Sequence, residues 1–269
     1  MGTPMVSKRK EARTPRSRLI SFAAEEVRVA VRQVREERRS DAPLFVHPDW
    51  TRDFPWLMQG ITGREAGSYS SFGDQNAAAL VARWRQLRVW TGARTAVLGR
   101  QVHGAQVLTH GELASGLLLA DESDGHITSV PGVLLAVSVA DCVPVVVVDP
   151  QRLVVAVLHA GWRGVAAGIA RSCIERLGTN VHVHLGPAIC GECYEVGPEV
   201  HVALGLSLPA RNQPVDLRAV LASQLHGLGV ARDKITASSW CTRCRASAFY
   251  SHRAGHAERQ VAVIGIVPS

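Results

Sequence analysis

The chain has 269 residues, 46% hydrophobic but only 5% aromatic, with a formal charge of +7 and a pI near 9.5. That is enough for one large or two small domains around an aliphatic core. No apolar run reaches the roughly 18 residues of a membrane span, and Met1–Leu19 lacks the apolar stretch of a signal peptide. Six cysteines without an export signal favour a reducing compartment, so a cytoplasmic protein with no membrane partner is expected.

The positive charge gathers in residues 8–39, from Lys8, Arg9 and Lys10 to Arg38 and Arg39. Residues 1–20 read as disordered. Residues 21–39 read as a helix, with Val27, Val31 and Val34 at helical spacing, Ser21 as its cap, and Glu25 and Glu26 near the positive end of its dipole. Ser40-Asp41-Ala42-Pro43 ends the segment. The expectation is therefore a basic, helical and partly disordered extension over 1–43 and a single domain over 44–269. A basic tail can meet nucleic acid. No aromatic interleaving or nucleic-acid motif accompanies these residues, so they read as a solvated extension instead.

Residues 44–73 read as short strands and turns, including Gln59–Arg64 and a Gly/Ser-rich loop at 67–73. Asp74 caps an expected helix to Leu87, with Ala77, Leu80, Val81 and Trp84 as its apolar face. Thr95–Val107 reads as a strand interrupted at His103-Gly104, and 122–130 as a polar loop entering another strand.

Val133–Val139, Val145–Val148 and Leu153–Leu158 are Val-rich runs, short enough to be strands buried on both faces. Asp149-Pro150-Gln151-Arg152 between the last two reads as a turn. If they pair tightly around it, Val148 faces Leu153, and the same register puts Cys142 opposite His159, with Cβ atoms roughly 5 Å apart. A shared metal, a Cys–His dyad, and a structural thiol beside a core histidine all suit that arrangement. Two prolines complicate it. Pro150 does not fit a two-residue type I′ or II′ turn, and Pro144 predicts a bulge or strand edge just after Cys142.

A helix follows at about 165–177, then a strand at 181–185 and a loop over 186–197. Helices are expected near 198–204 and 216–228, and strands near 234–238 and 260–267. Strands and helices mix without a regular βαβ beat. Cys190-x-x-Cys193 and Cys241-x-x-Cys244 match a four-thiolate zinc site only if the fold brings them together. Otherwise they are free buried thiols or pocket-wall residues. Cys173, on the 165–177 helix, reads as core.

Several segments together resemble one family. They are GITGR (60–64), RQVHGAQV (100–107), PGVLLAVSVADCVPVVVVDP (131–150), LHAGWRGVAAGI (158–169), GPAICGECYEVGPEV (186–200), VDLRAVLASQL (215–225) and CTRC…FYSHR…ERQVAVI (241–264). In this order and spacing they resemble the bacterial laccase-domain or YfiH-like family, named first for polyphenol oxidases and later for zinc-dependent purine nucleoside phosphorylases. The resemblance covers roughly residues 55–267. It departs where Ser70-Ser71-Phe72 runs straight into Gly73-Asp74 in place of a longer SLNLG-type segment. It departs again at Ala254, where the family carries a second Arg, and at Ala257-Glu258-Arg259 in place of Thr-Gly-Arg.

The resemblance implies an α/β fold of mixed β-sheets packed together with outer helices, and a metal site of His103, Cys142 and His159. Two imidazoles and one thiolate suit Zn²⁺ with a fourth position open, the form that lowers the pKa of a bound water to about 7. Copper is the alternative metal. Asp141, beside the thiolate, is a candidate to orient a ligand or handle a proton, or else a turn carboxylate. Arg163, Arg64 and Arg253 are candidate phosphate forks, and Tyr194 and Glu195 candidate pocket residues. The implied activity is phosphorolysis of adenosine, inosine and S-methyl-5′-thioadenosine, with deamination of adenosine, so the expected partners are purine nucleosides and phosphate. Three readings compete. A copper polyphenol oxidase lacks the many histidines a multicopper site needs. A metal-free hydrolase would use Cys142 as nucleophile and His159 as base. The last is a binding protein without catalysis.

Overall fold

The structure, a computed structural model, describes residues 29–69, 77–244 and 247–268. Two seven-stranded mixed sheets dominate it. The first runs, in spatial order, through Arg32–Val34, Ile235–Ser238, His182–Leu185, Val143–Asp149, Val154–Ala160, Gly125–Thr128 and Val107–His110. The second runs through Glu37–Arg38, Leu44–Val46, Leu57–Thr62, Gln260–Ile266, Val133–Val139, Thr95–Arg100 and Gly116–Glu122. This is the α/β arrangement of packed mixed sheets with outer helices.

Side-chain alternation makes the layers. Val146, Val148, Val155 and Val157 of the first sheet meet Leu135, Val137, Ala262 and Ile264 of the second. The intervening residues Val145, Val147, Ala156 and Leu158 turn the other way, onto Ile169, Cys173, Leu221 and Leu225 of the helices Ile169–Leu177 and Leu217–Gly227. On the far side of the second sheet, Leu134, Ala136, Val261 and Val263 pack on Trp84 and Leu87 of the helix Ala77–Thr91. Both sheets thus have both faces covered. That is why their central strands read as unbroken Val/Leu/Ile runs, each buried side chain contributing about 1.5–3 kcal/mol.

Several expectations need correction. The helix expected over 21–39 is not there in its described part. Arg32–Val34 is a strand paired in parallel with Ile235–Ser238, and Glu37–Arg38 pairs with Leu44–Val46. Residues 21–28 lie outside the described residues, as do the expected disorder of 1–20, the cap Asp74 and the 70–73 departure. Tertiary contacts decide the conformation of 32–38. Val34 is buried in the sheet, and buried Glu36 accepts from His184 Nε2 at 2.7 Å and Ser238 Oγ at 2.7 Å.

On the helix Ala77–Thr91 the buried side is Trp84, Leu87 and Thr91, while Val81 is exposed. The helix expected over 165–177 is two, Trp162–Ala166 and Ile169–Leu177, separated at Gly168, whose φ of 84° is left-handed. The hairpin turn holds four residues, Pro150–Leu153, not two. Asp149 Oδ1 accepts the Gln151 and Arg152 N–H groups, and Asp149 pairs with Val154. The longer loop relieves Pro150 of a type I′ turn and moves the register, so His159 lies opposite Pro144 and not Cys142. Pro144 stands at the second position of its strand without a register shift.

Candidate active site

Three successive connections cross from the second sheet to the first at one rim of the sandwich. Arg100 leads to Val107, Glu122 to Gly125, and Val139 to Val143. They carry His103, Asp124 and Cys142. His159, near the end of Val154–Ala160, meets them there. The ligand atoms of His103, Cys142 and His159 all lie within 4.8 Å of one another, and the two imidazoles are 4.7 Å apart between centroids.

Local chemistry explains the convergence. Gln101 anchors the first crossing, accepting the Ser138 N–H at 2.7 Å and donating to the Ser138 carbonyl at 2.8 Å. Asp124, with no exposed surface, then accepts the backbone N–H groups of Val102, His103 and Gly104 at 3.1, 3.0 and 2.7 Å. Three successive amides aimed at one carboxylate form a nest that offsets the left-handed φ of 60° at His103. The same carboxylate holds His159 Nδ1 at 2.7 Å, and the Asp124 carbonyl accepts the His159 N–H at 2.6 Å. With Nδ1 engaged, Nε2 of His159 is the nitrogen left to ligate. Gly161 completes the cup: a Cβ there would lie 2.9 Å from Cys142 Sγ and 2.8 Å from His103 Cδ2.

The electrostatics fit a soft-metal donor set. Burial works to raise the Cys142 thiol. His159 and His103 overcome it and bring the thiol down to about 6. Burial likewise disfavours a charged His159, yet the Cys142 thiolate and the Asp124 carboxylate push it up to about 9.

The other candidate residues divide. Asp141, with a φ of 82°, spends both carboxylate oxygens on neighbours, accepting Thr242 Oγ1 at 2.6 Å and the Arg253 N–H at 2.7 Å. It pins the loops of Thr242 and Arg253. Tyr194 is buried, with the Arg253 guanidinium 4.9 Å from its ring centre, and its phenol feels the charges of Cys142, Arg253, Asp141 and Arg163. Arg253 Nη1 also donates to the carbonyl of exposed Glu195 at 2.9 Å. Arg163 is exposed, lies 4.4 Å over the Trp162 ring, and has no carboxylate partner among the described residues. Arg64 is placed against Tyr250, 5.5 Å from that ring, and no contact joins it to the three donors. Asp124 carried no motif signal, and Gln101 only its place in the RQVHGAQV stretch. The one hint was general: a ligating histidine needs a buried acceptor for its second nitrogen.

Comparison with known proteins fits this geometry. The family model described as multi-copper polyphenol oxidoreductase laccase matches residues 64–267. The chain belongs to this family. Relatives of this laccase-family chain include adenosine deaminase RL5 from an unknown prokaryotic organism, 36% identical over 180 residues, which cover 58% of this chain and 69% of that protein. Another is a purine nucleoside phosphorylase of Deinococcus radiodurans, 39% identical over 183 residues, covering 62% of this chain and 68% of that protein. Among solved structures, YlmD from Geobacillus stearothermophilus superposes with a TM-score of 0.78 at 26% identity, over 87% of this chain and all of the other. The YfiH protein of Bacillus licheniformis gives 0.75 at 26% identity, over 85% and 98%. Among the described residues no helix is long and apolar enough to cross a membrane.

Proposed function

We propose that this laccase-family chain is a zinc-dependent purine nucleoside phosphorylase that cleaves adenosine, inosine and S-methyl-5′-thioadenosine with phosphate, and that it also deaminates adenosine. The observation that carries the reading is the His103–Cys142–His159 donor set braced by Asp124. Relatives that bear the names of both activities support it.

The residues fit zinc. Two imidazoles and one thiolate within 4.8 Å, one imidazole braced by a carboxylate, make the donor set of an open zinc site. Zinc held there would supply Lewis acidity at neutral pH. The chain's own residues do the rest. Asp124 fixes the His159 ring and keeps Nδ1 protonated. Arg163, exposed and without a carboxylate partner among the described residues, can fork a phosphate. Tyr194 and Arg253 form the wall beside Cys142, against which the nucleoside lies, with Glu195 at its margin; Arg64, held against Tyr250, stays a candidate phosphate fork. In phosphorolysis a phosphate oxygen forms the bond to the sugar C1′ as the bond from C1′ to the purine nitrogen breaks, and the base leaves with a proton. In deamination, water replaces the amino group and ammonia leaves.

The two reactions should separate by phosphate. Adenine release from adenosine should need phosphate and yield ribose 1-phosphate, while inosine formation persists without it. Arg163→Ala should impair the first more than the second. Adenine release equally fast in phosphate-free buffer would make the protein a hydrolase. The family's description favours copper as a second reading. Neither donor group among the described residues has more than two histidines, against that reading, and zinc- and copper-loaded protein assayed on a phenol would decide. The close Cys142–His159 pair favours a metal-free hydrolase, which would keep its activity after chelation.

A further inference from the structure

A second donor cluster lies apart from His103, Cys142 and His159. The fold brings the two Cys-x-x-Cys segments together, and all four sulfur atoms lie within 4.8 Å of one another. A parallel bridge between Ala188 and Cys241 sets the segments side by side, and the Thr242 N–H donates to the Ala188 carbonyl at 3.1 Å. Cys190 leads into the short turn Gly191–Cys193, which folds its partner Cys193 back toward it. The backbone N–H groups of Cys190 and Arg243 point at Cys241 Sγ, at 3.3 and 3.4 Å. Amides directed at sulfur favour a thiolate there, which an inert core thiol such as Cys173 does not need.

The distances choose among the fates of four clustered sulfurs. Cys190 Sγ is 4.0 Å and Cys193 Sγ 3.8 Å from Cys244 Sγ. Disulfides would require about 2.05 Å, and all six cysteines are free. A zinc ion with four bonds of about 2.3 Å places its sulfurs about 3.8 Å apart. From this geometry we infer that Cys190, Cys193, Cys241 and Cys244 hold a second zinc ion as a closed four-thiolate site. Four soft ligands with no open position make it structural, not catalytic. Binding releases the thiol protons to solvent and leaves a net charge of −2 on the cluster. Arg243, whose Nη1 donates to the Cys193 carbonyl at 3.0 Å, stands beside that charge.

The site has a task. One of its segments continues into Tyr194 and Glu195. The other carries Thr242 and leads on to Arg253, the two residues that hold Asp141 beside Cys142. The zinc staples these two walls together, so it positions the pocket without touching a reacting atom. The inference stands whether or not the nucleoside reading does.

The test uses the full chain, purified reduced and without chelator. Wild type should carry about two zinc ions, Cys142→Ala about one, and Cys244→Ser about one, with circular dichroism of the last unchanged. In the Cys142→Ala background the first site has lost its thiolate. Added cobalt should still give the intense sulfur-to-cobalt charge-transfer bands of a four-thiolate site, and Cys142→Ala/Cys244→Ser should lose them. The cobalt spectrum of Cys142→Ala needs no change in the cluster, so a misfolded variant cannot mask the answer. Reduced Cys142→Ala that binds neither zinc nor cobalt would overturn the inference. So would mass spectrometry showing the four cysteines paired as disulfides in the freshly purified protein. Wild type that turns over no purine nucleoside, with the cobalt spectrum of Cys142→Ala intact, would count against the nucleoside reading alone.

Discussion

Asp124→Asn keeps the size of the side chain and removes its charge. The carboxylate is fully buried and receives four donors: Oδ1 takes the His103 N–H and His159 Nδ1, and Oδ2 takes the N–H groups of Val102 and Gly104. Whichever oxygen becomes an amide NH₂, two donors lose their acceptor and face another donor. Each stranded buried donor costs about 1–3 kcal/mol, and breaking a buried pair by removing one charge costs about 3–5 kcal/mol. The two estimates overlap, so a loss of about 3–5 kcal/mol is expected in urea unfolding of the metal-free protein. Zinc affinity, measured by competition with a chromophoric chelator, should fall about ten- to a hundredfold, because His159 loses the acceptor that orients it. The pH dependence carries a sign. Burial works to raise the Asp124 carboxyl, but His159 and the Gly104 N–H hold it below the usual carboxylate range. A depressed folded value gives stability that is present above the unfolded pKa of 3.8 and lost as pH falls below it. The gap between variant and wild type should therefore be full at neutral pH and close in acid. A variant within about 1 kcal/mol of wild type, with unchanged zinc affinity, would refute the role given to Asp124.

Gly161→Ala places a methyl against Cys142 Sγ and His103 Cδ2; zinc affinity should drop about tenfold or more for about 1–3 kcal/mol of stability, and isothermal titration showing unchanged affinity would contradict the packing. Deleting residues 1–40 removes buried Val34 and strands the partners of Glu36, so urea unfolding should show a loss of about 4 kcal/mol or more, and an unchanged midpoint would mean that this edge strand adds nothing. His47 is buried, and that burial brings its imidazole down to about 3 from 6.5. A base lowered in the folded state gives stability present above 6.5 and lost as pH falls toward 3. His47→Asn, which keeps an acceptor for the Trp50 N–H, should flatten the loss of thermal stability between those values; an equal slope would place the titration elsewhere.

How much of this was legible in the chain follows from the range of each interaction. The Val-rich runs announced strands covered on both faces, since such burial leaves no polar alternation. Cys142 and His159 were brought together from a register that is wrong by two residues. A slip of two keeps every side chain on its face, so the pair still converges at the rim, whereas a slip of one would have parted them. His103 arrives from a crossing loop in another part of the fold, and only the family resemblance pointed to it. Asp124 acts through three amides of a segment 20 to 22 residues away in the chain, which no local pattern encodes. Val31 and Val34 fit a helical spacing. Val34 instead serves the edge strand Arg32–Val34, with Val31 just before it, and what decides is Glu36 reaching His184 and Ser238, a contact across most of the chain. The four-cysteine cluster was visible as two spaced pairs, but their meeting depends on one bridge between residues 188 and 241.

The measurement that bears most directly on the central claim is formation of ribose 1-phosphate from adenosine and phosphate by wild type and Cys142→Ala, each equilibrated with the same free zinc. Removing the thiolate from the three-ligand set should cost more than the about ten- to hundredfold that loss of a supporting residue brings. Ribose 1-phosphate formation should therefore fall by more than about a hundredfold in the variant. Formation at the wild-type rate in Cys142→Ala would show that His103, Cys142 and His159 do not carry the reaction.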